Sequence, residues 1–549
     1  MFKAHERPSY DKLQLNKRNE KPSARPNCAR PLTKLAMVAL NWHNRQLQYG
    51  ISHLPVHLLP ELLRTALLND QASAVVTMVA NWPFPTLRFA DILNSQQLEV
   101  FEDELSSLCY YIVDGLASRT PMCRLTCLDL TDILLQASFV RQIIQMWPLL
   151  SLKKPQLKPK NLAKIVTRTA GLDEIKLSYE IIPKVLKERM GQDLMQFPRN
   201  RIKLPEGERL EVKLSDAHFT TSNLFFLDYM ITNCLRDYTP LYVTVSNLHI
   251  KSDFCDGNLL TDSLAPFVVF KGQQSKLLDG LSLHQLEEGV FFLVLPDLQC
   301  FTHLRSLDIA DCNIYLQEGV TRRRRSTRTL LCETFQCFTS LCRLNLSFNF
   351  LIGCLGEVLE SLRMPLEYLS IRGCDVNDSD LVSLGESKHA ASLRELNMSK
   401  LCHFSIYDND RISPGNILKV VKNFPQMTLL NLAQNHLSDT NVKDFSCDTL
   451  IHMTRLKGLD ISGNILALDS QVELARACAR VPSMQWLRLT CMNSTLNDAM
   501  FLHNLELGNM EDVGGKLRNE MKSLGRDDIV VDVVRLSFAI LVDLVDFFD

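Results

Sequence analysis

The sequence predicts an α/β solenoid of stacked strand–helix repeats with a helical segment at its N-terminal end, on three observations. An apolar pattern eleven residues long recurs seven times in the C-terminal half. The stretches between copies carry the apolar spacing of helices. And 549 residues are too many for one ordinary hydrophobic core, which leaves several domains or a repeat array.

The recurring pattern is Leu-x-x-Leu-x-Leu-x-x-Asn/Cys-x-Leu, the mark of leucine-rich repeats. Clear copies are Leu304, Leu307, Ile309, Cys312, Ile314, then Leu341, Leu344, Leu346, Asn349, Leu351, then Leu366, Leu369, Ile371, Cys374, Val376. A weaker copy is Leu393, Leu396, Met398. Three more start at Met427 (with Leu430, Leu432, Asn435, Leu437), Leu456 (with Leu459, Ile461, Asn464, Leu466) and Met484 (with Leu487, Leu489). Starts at 341, 366 and 393 lie 25 and 27 residues apart, and those at 427, 456 and 484 lie 29 and 28 apart. Gaps of 37 after 304 and 34 after 393 imply loop insertions. Such units hold a strand plus a full helix, as in ribonuclease-inhibitor-like horseshoes. Val358–Leu362, Leu381–Leu384, Ile417–Val421 and Val472–Ala479 supply the helical spacing. The ninth-position Asn or Cys is expected to cap the turn by bonding free backbone groups, while the leucines stack into one core. Leu344, Leu369 and Leu459 are expected to be fully buried.

Upstream the pattern loosens. Leu125, Leu128 and Leu130 read as a lone strand, as do Leu210, Val212 and Leu214, and Tyr242–Ile250 reads as another. Lys153-Lys154-Pro155 through Lys160 is a basic, proline-broken linker. Leu536–Phe548 is too short to span a bilayer, is interrupted by Asp543 and Asp546, and reads as a closing strand or helix. The organisation expected is a disordered basic extension (1–30), a helical N-terminal region (31–120), divergent repeats with the linker near 153–160 (121–300), regular repeats (301–500) and a C-terminal cap (501–549).

A formal net charge of −2 argues against a general nucleic-acid binder, which carries a basic bias over a whole domain. Seventeen cysteines suggest disulfides, but Met1–Arg30 is polar and basic, without an apolar core or a small-residue cleavage site. Free thiols in a reducing compartment are therefore expected, which means the cytoplasm, with nuclear residence left open. Thr321-Arg322-Arg323-Arg324-Arg325-Ser326 reads as an import signal, an anion-binding loop or a solvated insertion. Neither Cys123 and Cys127 nor Cys332, Cys337 and Cys342 show the paired spacings of a zinc site. No phosphate loop, His-Glu-x-x-His or Gly-x-Ser-x-Gly occurs. Neither enzymatic activity nor a cofactor is expected.

The N-terminal segment changes character after Asn27. Pro31–Leu40 reads as a helix with Pro at its start, and Leu32, Leu35, Ala36, Ala39 and Leu40 share one apolar face. The spacing Pro-Leu-x-x-x-Ala-x-x-x-Leu resembles a BC box, the elongin-C-binding helix of substrate receptors. In such a helix one Leu, here Leu32, fills a pocket while small residues allow close approach. The plainer alternative is an amphipathic helix packed on the solenoid. Leu54, Pro55, Leu58 and Leu59 lie in a segment that resembles a cullin box, and also the opening of an F-box, which would recruit a different adaptor.

Longer stretches extend the likeness. Leu54–Leu67 with Met78-Val79-Ala80-Asn81-Trp82-Pro83-Phe84-Pro85 resembles the N-terminal signature of the PRAME family of leucine-rich-repeat proteins. Met364–Ile371 with Asp380-Leu381 and Ala390, Ser392, Leu393 resembles its repeats, and Lys516–Arg518 to Asp527–Ile529 its final helix and closing segment. The middle, about 150–301, is divergent. The resemblance implies a horseshoe that serves as substrate receptor of an elongin B/C–cullin-2 ubiquitin ligase. It also makes Leu32, Leu35, Ala36 and Leu40 elongin contacts, and Leu54, Pro55, Leu58 and Leu59 cullin contacts. The rival reading is a repeat protein that sequesters a signalling or transcription partner without any ligase.

Period-two alternation sends the pattern leucines inward and the intervening residues to the concave face. One outward column is Ser306, Arg343, Tyr368, Glu395, Leu429, Gly458, Trp486, and the next is Asp308, Asn345, Ser370, Asn397, Asn431, Asp460, Arg488. Arg372 and Ser399 open a third. Aromatic and Arg side chains dominate protein interfaces, so Arg343, Tyr368, Arg372, Trp486 and Arg488 are expected to contact the protein substrate. For Trp486 the alternative is a shield over the last repeat.

Overall fold

The repeat leucines do in three dimensions what their spacing demands. The computed structural model describes residues 32–93, 105–133, 207–220, 240–252, 278–286, 288–316, 327–402, 412–464, 466–491 and 510–535, with a few isolated positions besides. The extension 1–30, the linker 153–160, Arg322–Arg325 and the tail from Leu536 lie outside them. The described chain divides into two compact units. The first takes residues up to Pro83 with Ser107–Arg124, and the second takes Phe84–Ser106 with Leu125 onward.

The first unit is helical: α1 (Leu32–Trp42), α2 (Asn44–Gly50), α3 (Leu59–Leu68), α4 (Ala72–Ala80) and nearly all of α5 (Leu105–Ala117). Pro60 sits in the first turn of α3, where a missing N–H costs nothing. Leu62, Leu63 and Ala66 of α3, Val75, Met78 and Val79 of α4, and Ile112, Val113 and Leu116 of α5 are all buried. A side chain at Gly115 would place Cβ 2.6 Å from the Val79 Cβ, so only glycine lets α5 lie this close to α4. The Asn41 side chain of α1 donates to the Leu62 carbonyl at 3.2 Å.

The second unit is a thirteen-stranded parallel sheet whose strands neighbour one another in chain order. These are β1 (Thr86–Arg88), β2 (Cys127–Asp129), β3 (Leu210–Thr220), β4 (Leu241–Lys251), β5 (Gly280–His284), β6 (Ser306–Asp308), β7 (Arg343–Asn345), β8 (Tyr368–Ser370), β9 (Glu395–Asn397), β10 (Leu429–Asn431), β11 (Gly458–Asp460), β12 (Trp486–Cys491) and β13 (Val530–Arg535). Helices alternate with the later strands: α6 (Glu288–Leu298), α7 (Thr327–Cys337), α8 (Leu355–Ser361), α9 (Asp378–Glu386), α10 (Pro414–Val421), α11 (Asp439–Asp448), α12 (Leu468–Ala479) and α13 (Met510–Ser523). The register stacks Leu307, Leu344, Leu369, Leu396, Leu430, Leu459 and Leu487 into one inward column. Leu344, Leu369 and Leu459 are each 0% exposed, as expected.

The ninth position works as a bracket between repeats. Asn464 Oδ1 accepts from the Asn435 and Leu437 backbone N–H groups, and its Nδ2 donates to the Leu432 and Ile461 carbonyls. Asn349 and Asn435 bond in the same way, and Cys312 and Cys374 offer thiols to the Leu283 and Leu346 carbonyls, each at 3.1 Å. One residue earlier the backbone is left-handed in every repeat from Asp311 to Gly463. Gly373 (φ 59) and Gly463 (φ 72) suit that place, whereas Asp311 (φ 56), Phe348 (φ 59), Lys400 (φ 58) and Gln434 (φ 58) occupy it despite their Cβ atoms.

Two expectations need correction. The strands at Leu128 and Val212 are not isolated: β2 pairs with β1 and β3, and β3 with β4. The sheet begins inside the region expected to be wholly helical, because β1 needs only one buried residue, Leu87, to join the ladder. The sheet runs on past 300 and 500 to β13.

Candidate protein-binding face

On one face of the sheet the half-exposed residues between the inward leucines form an open surface. Its first column follows the expected register, Ser306, Arg343, Tyr368, Glu395, Leu429, Gly458, Trp486. The Arg343 guanidinium lies 4.4 Å above the Tyr368 ring and 3.0 Å from the Glu395 carboxylate, tying three adjacent strands. Burial pushes the Tyr368 phenol up from its usual pKa. Pairs this exposed add little stability, so the effect is to hold the side chains in fixed positions.

At the other end Gly458 lies between Leu429 and Trp486. A Cβ there would stand 2.9 Å from Leu429 Cδ2 and 3.4 Å from the indole, so the missing side chain lets those two groups approach. Arg488 lies 5.5 Å over the Trp486 ring, donates to Asp532 at 2.8 Å and stands 3.6 Å from Asp460. The five expected contact residues all lie on this face but fall into two groups. Arg343, Tyr368 and Arg372 are on or beside β7 and β8, Trp486 and Arg488 are on β12, and three strands separate β8 from β12. Glu395, Leu429, Gly458 and Asp532 complete the groups. Their part follows from pairing across strands, which only the assembled register shows.

The second column lies on the expected face, with Asp308, Asn345, Asn397 and Asn431 half-exposed. These four and Asp460 also accept from the backbone N–H two residues ahead, at 3.0–3.2 Å. That local bond ends each strand after three residues. Ser370 is 2% exposed and bonds the Ser347 hydroxyl. Burial opposes ionisation of Asp308, but the hydrogen bond and charge of His284, 3.4 Å away, hold its carboxyl below the usual carboxylate range.

In the first unit Ala36 is exposed and Leu40 half-buried on α1. Leu32 and Leu35 begin the same helix, and their side chains lie outside the described residues. Pro55 is exposed and Leu54 and Leu58 are half-buried, but Leu59 is 3% exposed. Leu59 therefore belongs to the core of the unit and is not available as a cullin contact. Sequence reasoning passed over the exposed large side chains on this stretch, Trp42 (66%), Tyr49 (82%) and Val56 (53%).

Among the described residues no group of three His, Cys, Asp or Glu side chains could hold a metal ion, and no helix is long and apolar enough to cross a membrane. Burial pushes the Cys312, Cys374 and Cys478 thiols up to about 12, far from the thiolate a nucleophile needs.

Comparison with known proteins agrees with the geometry. Residues 31–136 match the family model of the PRAME N-terminal domain and 291–537 that of the PRAME C-terminal domain. Leucine-rich repeat-containing protein 14 of Xenopus laevis is 25% identical over 377 residues, covering 64% of this chain and 67% of its own. The Rattus norvegicus protein of the same name is 22% identical over 450 residues, covering 77% and 79%. Among solved structures, an internalin from Listeria monocytogenes covers 59% of this chain and 78% of its own, at 13% identity and a TM-score of 0.28.

Proposed function

Given that this chain belongs to the PRAME family, we propose that it is the substrate-recognition subunit of an elongin B/C–cullin-2 ubiquitin ligase, holding its protein target on the open face of the sheet. The observation that carries this reading is the exposed apolar run of the first unit. Trp42, Tyr49 and Val56 are more than half exposed in water, where large apolar side chains mark interaction sites. They sit on the stretch whose spacing resembles a BC box followed by a cullin box. Ala36, exposed on α1, leaves room for a partner helix to come close. The second unit supplies a separate surface, already ordered by Arg343–Glu395 and Arg488–Asp532, for the target.

Affinity purification of the full chain, with the co-purifying adaptors identified, tests this reading. Elongin B/C with cullin-2 is the expected result. An F-box adaptor in their place, or signalling partners with no adaptor at all, would replace the reading with one of its rivals.

A further inference from the structure

Arg343 and Arg488 both face carboxylates, but Arg372 does not. Among the described residues no carboxylate lies within salt-bridge distance of its guanidinium, and its Nε is buried without a hydrogen-bond partner. Burial lowers its pKa, against the attraction of Asp460, whose own carboxylate stands nearer Arg488. A guanidinium with one nitrogen buried and unsatisfied is costly to hold in a folded chain.

Beside it the backbone is strained as well. The Phe348 N–H donates to the Arg372 carbonyl at 2.8 Å, and the Phe348 ring lies 5.6 Å from the guanidinium. Phe348 holds φ at 59° while 41% exposed, the one aromatic residue at a left-handed place that other repeats give to Asp, Lys, Gln or Gly. Gly373 makes room for the ring, since a Cβ there would stand 2.6 Å from it. Two residues past Phe348, Phe350 stacks on Tyr315, itself 37% exposed, at 4.2 Å. An unpaired cation and exposed aromatic rings are thus gathered at one edge of the open face, with nothing in the fold that needs either exposed.

We propose that Arg372 and Phe348 form the anchor of the target site and receive a protein segment that presents a carboxylate beside an apolar side chain. This rests on the part of the proposed function that places the target on the open face. A planar guanidinium takes a carboxylate through two parallel hydrogen bonds. A single negative charge balances Arg372, whereas a phosphate dianion would bring a second charge into the field of Asp460, which already reaches the guanidinium. The ring of Phe348 covers the apolar neighbour and keeps water from the pair.

The test uses the purified full chain and fluorescence anisotropy with three labelled octapeptides. One alternates glutamate with phenylalanine, and in the others glutamine or phosphoserine replaces glutamate. The glutamate peptide should bind at least tenfold more tightly than the glutamine peptide. Arg372→Met should abolish that preference and Arg372→Lys should keep part of it. Arg372→Met should also raise Tm, because it removes a buried nitrogen that has no hydrogen-bond partner, a result that a merely structural arginine would reverse. The inference is overturned if Arg372→Met binds the glutamate peptide as wild type does or melts lower than wild type. It is equally overturned if phosphoserine is preferred or if no peptide binds. Elongin B/C binding by the same variants separates the two readings. Loss of elongin binding in wild type with the glutamate preference intact would remove the ligase and leave the anchor.

Discussion

Asn464→Ala removes one bracket between two repeats and exposes the logic of the ninth position. The side chain is 1% exposed and makes four bonds. Without it the Asn435 and Leu437 N–H groups lose their acceptor at 2.9 and 3.1 Å, and the Ile461 carbonyl loses a donor at 2.8 Å. The Leu432 carbonyl keeps a bond from Asn435 Nδ2. A buried donor left unsatisfied costs ~1–3 kcal/mol, so the two N–H groups together make the variant about 2–6 kcal/mol less stable locally. Repeat arrays need not unfold as one unit, so amide hydrogen exchange read by mass spectrometry is the suitable assay. At ~1.4 kcal/mol per tenfold, the segment around Leu437 should exchange at least tenfold faster. Asn464→Cys should fall between, because Cys312 and Cys374 show that a thiol keeps the donor side of the bracket. Exchange within twofold of wild type in Asn464→Ala would refute the reasoning.

Further outcomes follow from individual contacts. Gly373→Ala places a Cβ in a left-handed backbone and 2.6 Å from the Phe348 ring, so it should lower stability by ~1–2 kcal/mol in urea denaturation, and an unchanged midpoint would contradict this. His389 is 0% exposed, accepts from the Leu366 N–H through Nδ1 and donates to the Leu359 carbonyl through Nε2, which only the neutral ring can do. Burial holds its pKa below the usual 6.5, so the unfolded chain binds the proton first. Its contribution should be complete above pH 6.5 and fade as pH falls through the lower folded value, read as a falling Tm. A Tm that is flat or rises on that descent would be the contrary result. In cells, proximity labelling with an Arg343/Tyr368/Arg372 triple Ala variant should retain the adaptor and lose part of the remaining partner set, and retention of every partner would remove the open face from the binding site.

The fold of the C-terminal half was legible because its leucines obey one period, and helices α8, α9, α10 and α12 fall where the spacing between copies places them. Strand β1 was not, since Thr86-Leu87-Arg88 carries no Leu-x-x-Leu copy, and β5 was passed over although Leu278, Leu281 and Leu283 carry a short one. The place of β1 comes from its pairing with β2, information held about forty residues away in the chain. The first column of the open face follows from alternation alone. The face of the second follows in the same way, but the bonds of Asn345 and its equivalents to the backbone two residues ahead do not follow from alternation. Phe348 was invisible for a related reason. Phenylalanine is not a turn residue, and its left-handed backbone is imposed by the repeats stacked on either side.

The most direct test of the substrate-receptor reading is calorimetric titration of purified elongin B/C into the full chain, wild type and Leu32→Ala/Ala36→Phe. Leu32 begins α1 and Ala36 is exposed on it, so the double change should remove the anchoring side chain and crowd the approach while the repeats stay folded, as judged by an unaltered thermal unfolding of the sheet. Binding by the wild type and its loss in the folded variant is the outcome predicted. Equal heats for both proteins, or none for the wild type, would contradict the assignment of α1 as the ligase-recruiting helix.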